Sequence, residues 1–301
     1  MSQQRIVIGL GELLWDVFPD GKRPGGAPAN VAFQANQLGC HGMVISRVGT
    51  DGDGDELCKF LDSQSLDRTL VQQDSSHPTG TVTVSVDNGQ PSYVIHEDVA
   101  WDFIECTDDL ISTAQRASGV CFGTLAQRSP ISHETVQEVV RNVPQDALRV
   151  FDVNLRQQFY TKEIIVESLN LANVMKLNDE EVRILGPLLD LSTDMAEFSK
   201  QVRDQYELKL ICVTRGANGC LVTDHKQTYE VPGHPVQVAD TVGAGDAFTA
   251  GFIFAQLESW PVGISGQFAN QVGGLVASSQ GAMPDLRDRF AALIEETRQQ
   301  L

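Results

Sequence analysis

LRVFDVN (148–154), a helical pattern over 162–171, and NVMKLN (173–178) follow one another directly. Two short apolar runs around one amphipathic segment read as a strand–helix–strand unit. The same rhythm continues outward. Upstream lie RIVIGLG (5–11), PANVAFQANQLG (28–39), GMVISRVG (42–49), GDELCKFLDSQ (54–64), GVCFGTLA (119–126) and SHETVQEVVRNV (132–143); downstream lies KLICVTRG (209–216). Strands alternating with helices pair in parallel through right-handed crossovers. The pattern therefore predicts a doubly wound, mostly parallel α/β sheet with helices on both faces. Two long helical patterns, about 244–258 and 264–280, close the chain.

One segment departs from this rhythm. TGTVTVSVDNGQPSYVIHEDVAWD (79–102) alternates β-branched and polar residues around Asn88-Gly89, a hairpin signal, with no helix to pack on. With ELLWDVFPDG (12–21) it predicts a small second sheet. Such a sheet has edges to cover, so it would lie over a ligand cleft, pair with another subunit, or both. The expectation is one domain over 1–301, with lid segments near 12–24 and 79–103.

Composition narrows the partners. The 301 residues are 42% hydrophobic, enough for a large core, and the net charge of −18 sets up a field that repels nucleic acid and anionic membrane. Any anionic ligand needs a locally positive site. The six cysteines form no C-x-x-C pair, and Cys121, Cys212 and Cys220 lie in apolar β-like runs as small hydrophobes. These features, with no signal-peptide pattern and no apolar stretch of membrane-spanning length, predict a reduced, cytoplasmic protein.

DTVGAGDAF (240–248) carries the chemistry. The following AFTAGFIFAQL is apolar on every side and reads as a buried helix starting near Ala244, with Gly243, Ala244 and Gly245 in its first turn. Open amides and the positive end of the helix dipole make such a start an anion site, and small residues let a phosphate approach. Asp246 at its edge reads as a general base for phosphoryl transfer, or as an acidic residue serving the helix start.

DTVGAGDAFTAGF resembles the C-terminal signature of the ribokinase (PfkB) family of sugar kinases, and RPGGAPANVAFQANQLG (23–39) resembles its N-terminal one. VGTDGDGDEL (48–57), FDVNLR (151–156), KLNDEE (176–181) and VTRGANG (213–219) follow in family order, so the likeness spans the chain. It implies a ribokinase-like fold and an ATP- and Mg²⁺-dependent transfer to a primary hydroxyl of a sugar. GELLWDVFPDG, GTLAQRSP and FDVNLR look most like fructokinases, so fructose comes first; ribose, 2-keto-3-deoxygluconate and nucleosides are the alternatives within the family.

The resemblance assigns roles. Gly243, Ala244 and Gly245 form the anion hole and Asp246 is the base. Asp16, Gly25, Gly26 and Asn30 hold sugar hydroxyls, although Gly25-Gly26 also reads as a plain tight turn. Asp152, Asn154 and Arg156 share a strand face by the period-2 rule, at the strand end where open α/β sheets bind ligands. Arg156 is the candidate partner of the phosphoryl group, or forms an ion pair with a neighbour. Trp15, Trp101 and Gln127 are expected to shape the sugar pocket. Asn178 and Glu181 match an N-x-x-E element tied to hydrated Mg²⁺ and phosphate, and a helix start capped by Asn178 explains the same letters. Thr214, Arg215, Gly216 and Asn270 match nucleotide-contacting positions. Asp240, Val242 and the segment 278–281 match a monovalent-cation (K⁺) site of relatives. Several relatives dimerise through the lid, so a homodimer is expected.

Other motifs point away from rival chemistries. Asp51, Asp53 and Asp55 mimic a calcium loop, but Glu56 stands where its glycine belongs and Asp62 where its glutamate belongs. No P-loop is present, and the six histidines show no zinc spacing. A dinucleotide-dependent oxidoreductase would need a third glycine where Leu14 stands. A silent sugar-binding regulator would have lost the base, and Asp246 is intact.

Overall fold

The computed structural model describes residues 5–87 and 90–301. Its strands are β1 (Ile6–Leu10), β2 (Leu14–Phe18), β3 (Gly21–Gly25), β4 (His41–Gly49), β5 (Val71–Asp74), β6 (Gly80–Asp87), β7 (Gln90–Ile95), β8 (Gly119–Phe122), β9 (Leu148–Asp152), β10 (Val174–Asn178), β11 (Leu210–Thr214), β12 (Cys220–Thr223) and β13 (Thr228–Val231). Its α-helices are α1 (Ala27–Gln37), α2 (Gly52–Ser63), α3 (Asp108–Ala114), α4 (Pro130–Asn142), α5 (Lys162–Leu171), α6 (Asp179–Leu188), α7 (Met195–Tyr206), α8 (Ala244–Leu257), α9 (Val262–Ala277) and α10 (Arg287–Arg298).

Nine strands make the main sheet, in the order β13-β12-β11-β10-β9-β8-β1-β4-β5. Pairings from β11 through β5 are parallel, whereas β12 and β13 add an antiparallel edge. Alternation along the strands separates two cores. In β8 and β11, Val120, Phe122, Ile211 and Val213 join the side covered by α4 to α7, and Cys121, Leu210 and Cys212 join the side covered by α1, α8 and α9. The sheet is thus doubly wound, as the alternating pattern predicts.

The second sheet also forms. Its order is β3-β2-β6-β7, with β2 parallel to β6 and both outer pairs antiparallel. The Asn88-Gly89 turn expected between β6 and β7 lies outside the described residues. Two features differ from the sequence reading. The chain closes on a third helix, α10, whose charged surface leaves little apolar periodicity beyond Phe290 and Leu293. Trp101, expected at the sugar pocket, sits in a short helical turn and is buried, with the Arg128 guanidinium over its ring.

The calcium-like aspartates serve structure. Asp51 caps α2 by accepting the Gly54 amide and also accepts the Thr79 amide and hydroxyl at the base of the small sheet. Among the described residues, no group of three or more His, Cys, Asp or Glu side chains is arranged to hold a metal, and no helix is long and apolar enough to cross a membrane.

Candidate active site

The C-terminal ends of β1, β8, β9, β10 and β11 open into a cavity of about 710 Å³ facing the small sheet. Such strand ends are where open α/β sheets bind ligands, because the crossovers diverge there. Glu12, Asn30, Asn154, Arg156, Asn178 and Asp246 line it from the main body, and Asp16, Phe18, Val82, Tyr93 and Ile95 from the small sheet.

Helix α8 begins at Ala244, as expected. Gly243 caps it in the left-handed region at φ 76°, with no side-chain cap, and a Cβ there would lie 2.6 Å from the Cα of Ala282. Only glycine meets both demands. The amides of Gly245 and Asp246 have no acceptor among the described residues, so they remain available to an anion. Asp246, in that first turn, accepts the Asn30 amide at 2.7 Å. Burial raises its carboxyl above the usual range and Asp152 adds to the rise, while Lys176, Asn30 and Arg156 oppose it.

Beneath the helix start is a buried ion pair. Lys176 and Asp152 are directly opposite across β10 and β9, and Lys176 Nζ donates to Asp152 Oδ1 at 2.9 Å. Period-2 alternation turns both toward α8, from which the Thr249 hydroxyl donates to Asp152 Oδ2 at 2.8 Å. A Cβ at Gly245 would be 3.3 Å from Lys176 Nζ. Burial alone would pull the ammonium down, but Asp152, Glu181 and Asp246 hold it at about 12.

The opposite wall holds two more carboxyls. Gly25 leaves room for Asp16, whose Oδ2 would be 2.4 Å from a Cβ at that position. Burial pushes Asp16 up to about 6. Glu12 is buried, accepts the Ala27 amide at 3.2 Å, and is pushed by burial to about 7.

Matched against known families, residues 9–289 fit the model of the pfkB family carbohydrate kinases. The chain belongs to this family. It is therefore a phosphotransferase with an alcohol acceptor. It is 30% identical to a sugar kinase of Pyrococcus horikoshii over 98% of this chain and 97% of that protein. It is 31% identical to a fructokinase of Escherichia coli over 92% of this chain and 94% of that one. Among solved structures it resembles the P. horikoshii sugar kinase in complex with ATP, with a TM-score of 0.83 and 29% identity over 98% and 100% of the two chains. A fructokinase of Xylella fastidiosa with bound ATP has the same fold, with a TM-score of 0.87 and 24% identity over 98% and 100% of the chains.

Several side chains of this kinase stand elsewhere than the sequence reading placed them. Asp152, Asn154 and Arg156 do not share a strand face. β9 ends at Asp152, and Asn154 adopts φ 49°, so the alternation stops. Asn154 and Arg156 reach the cavity, whereas Asp152 is held behind it by Lys176 and Thr249. Gln127 is buried and bonded to Gly123, Ser168 and Gln137, outside the cavity wall. Trp15 donates to the Asp53 carbonyl and packs on the α2 side. A small sheet alternates its faces, so Leu14 and Asp16 point inward and Trp15 away.

Of the residues expected to contact the nucleotide, Asn178 and Thr214 line the cavity. Asn178 and Glu181 form a capping box, and Glu181 also accepts the Leu155 amide at 2.8 Å, anchoring the loop that carries Arg156. Arg215 lies at an adjoining groove where it pairs with Glu230, and Asn270 donates to the Pro232 carbonyl there; Gly216 lines neither the cavity nor this groove. Asp240 accepts the amides of Val242 and Gly281, and its own amide bonds Ala277, which brings the two expected cation-site segments together.

Glu12 and Lys176 are the groups that sequence reasoning passed over. The one available signal for Lys176 was a lysine inside an apolar strand run, NVMKLN.

The raised carboxyl of Glu12 makes stability depend on pH with a definite sign. The folded state keeps its proton up to about 7, whereas an unfolded glutamate releases it near 4.5. Stability from this group is therefore full below 4.5 and lost as pH rises toward 7. Glu12→Gln has no such loss. Its stability advantage over the wild type should be small at pH 4.5 and reach roughly 3 kcal/mol at pH 8, the free-energy equivalent of that shift. Urea unfolding of both proteins at the two pH values measures it; an advantage that does not grow with pH would contradict the raised carboxyl.

Proposed function

We propose that this kinase transfers the γ-phosphoryl group of ATP to a primary hydroxyl of a sugar, with fructose as its substrate. One observation carries the mechanism: Asp246 sits in the first turn of a helix whose open amides face a cavity shared with the hydroxyl-binding groups Asp16 and Asn30. Asp246 takes the proton of the attacking hydroxyl, and its raised carboxyl is a stronger base for that task than an ordinary aspartate. The amides at Gly245 and Asp246, with Arg156, take up charge on the transferring group. Gly25 and Gly26 let the sugar approach the backbone beside Asp16.

Mg²⁺ fits as a hydrated ion held chiefly by phosphate oxygens, because Glu181 is buried behind the cavity lining with each carboxyl oxygen accepting an amide, and would reach the ion through water. When bound, it neutralises phosphate charge. Asn178, Thr214, Arg215, Gly216 and Asn270 form the nucleotide side. The paired loops at Asp240–Val242 and 278–281 would hold K⁺ through backbone carbonyls. The small sheet acts as a lid that keeps water from the phosphoryl group, and its outer face, where Val94 is half exposed, would pair with a second copy.

The fructokinase of E. coli, 31% identical, supports fructose over other sugars. A coupled ADP-release assay with Mg²⁺ and ATP over fructose, ribose, 2-keto-3-deoxygluconate and nucleosides tests the assignment. Fructose should give kcat/KM at least tenfold above every other acceptor; a higher value for any other acceptor would replace it. Omitting K⁺ should lower the rate.

A further inference from the structure

Glu12 is buried in the wall of the cavity, and one of its carboxyl oxygens accepts the Ala27 amide at the start of α1. The other, Oε2, is buried with no hydrogen-bond partner among the described residues. Asn30 is in the same condition: Nδ2 donates to Asp246, while Oδ1 is buried and has no partner among the described residues. Ala27 and Asn30 are three residues apart on α1, hence neighbours on one face of the helix. Side chains on a helix lean toward its N-terminus, so the Asn30 side chain lies over the first turn, where Glu12 accepts the Ala27 amide, and all three residues line the same cavity. Two buried acceptors without donors are a costly arrangement, and a single proton between them satisfies both.

We propose that Glu12 is a positioning residue: as a carboxylic acid it donates from Oε2 to Asn30 Oδ1, which holds the Asn30 amide toward Asp246. The proposal rests on Asp246 being the base. Asn30 can offer Nδ2 to Asp246 only while its carbonyl oxygen faces a donor on the other side. Glu12 is that donor in its acid form. Burial keeps the acid form available up to about pH 7. Of the groups that face it, Arg156 from the loop after β9 favours ionisation, and Asp246 from α8 opposes it. Asp152 and Cys121 line a small cavity behind it, and the Cys121 thiol is raised well above its usual range by burial and stays neutral. Asp16 lines the main cavity with it.

Ionisation of Glu12 would put two acceptors face to face and turn the Asn30 amide from Asp246. The wild-type kcat/KM for the sugar, which reports the free enzyme, should therefore fall on the alkaline side of pH 7. Glu12→Gln can donate from the same place at any pH, and Glu12→Leu cannot donate. At pH 6.5, Glu12→Gln should keep at least a third of wild-type kcat and lack the alkaline fall, whereas Glu12→Leu should lose tenfold or more. In an Asn30→Ala background, Glu12→Leu should cost no more than about twofold further, since its target is gone. An alkaline fall that persists in Glu12→Gln, a Gln variant as poor as the Leu variant, or fully multiplicative losses with Asn30→Ala would each overturn the proposal. Should Glu12→Leu fail to fold, the Glu12→Gln pH profile still decides. Asp246→Asn settles the base separately: turnover surviving there overturns the base, whereas its loss together with uncoupled Glu12 and Asn30 overturns only this proposal.

Discussion

Asp246→Asn should lower turnover by roughly 10²–10⁴-fold while leaving sugar affinity within a few-fold of wild type, the scale set by removing a general base. Asparagine keeps the shape of the side chain and an oxygen to accept the Asn30 amide, so the hydrogen bond at 2.7 Å can persist. The missing property is proton acceptance. The variant also relieves a raised carboxyl close to Asp152, so it should unfold no more readily than the wild type. Calorimetric titration with the sugar beside single-turnover kinetics separates binding from chemistry. Turnover within threefold of wild type would remove Asp246 from the mechanism and leave only its place at the helix start.

The second large effect is on stability. Lys176→Met should destabilise the fold by about 3–5 kcal/mol, the usual result of stripping one partner from a buried ion pair. Methionine matches the lysine stem in length, so packing changes little. The cost arises because Asp152, 3% exposed, would be left with only the Thr249 hydroxyl and no cation. Removing that charge as well should undo most of the loss: Lys176→Met with Asp152→Asn should recover at least half of it. Denaturant midpoints at pH 7.5 for Lys176→Met, Asp152→Asn and the double variant give the coupling. A single variant within 1 kcal/mol of wild type would show that the pair is not the anchor beneath α8.

Local order was legible because it depends on near neighbours in the chain. Period-2 and period-3.6 patterns located β1, β4, β8 to β11 and the helices α1, α4, α5, α8 and α9 within a few residues. α10 escaped because its exposed face is charged and it needs only one apolar edge, Phe290 and Leu293, to dock. The site divided in the same way. Gly243 to Asp246 could be read as a helix start from consecutive letters, and Asn30 from its place after Gly25-Gly26.

The choice of Gln127, Trp15 and Trp101 as pocket residues rested on the resemblance to fructokinases, and a likeness of letters says nothing about side-chain direction. Gln127 is turned into a buried network with Ser168 and Gln137, and neither tryptophan lines the cavity, Trp101 packing behind its wall with Leu14, Val82 and Ile95. Period 2 did apply to FDVNLR, but only as far as Asp152, where the strand stops and Asn154 turns to φ 49°.

By itself, then, the sequence determined the doubly wound sheet, the small second sheet and the glycine-lined start of α8, all set by local periodicity and by what each residue type allows the backbone. Only the tertiary structure decided that Lys176 meets Asp152 across β10 and β9, and that Glu12 and Asn30 each bury an unpaired oxygen beside the start of α1. Those contacts follow from strand register and from helix α1 docking on the sheet. Charge and burial at a point depend on everything packed around it, and that sum is not contained in any short stretch of chain.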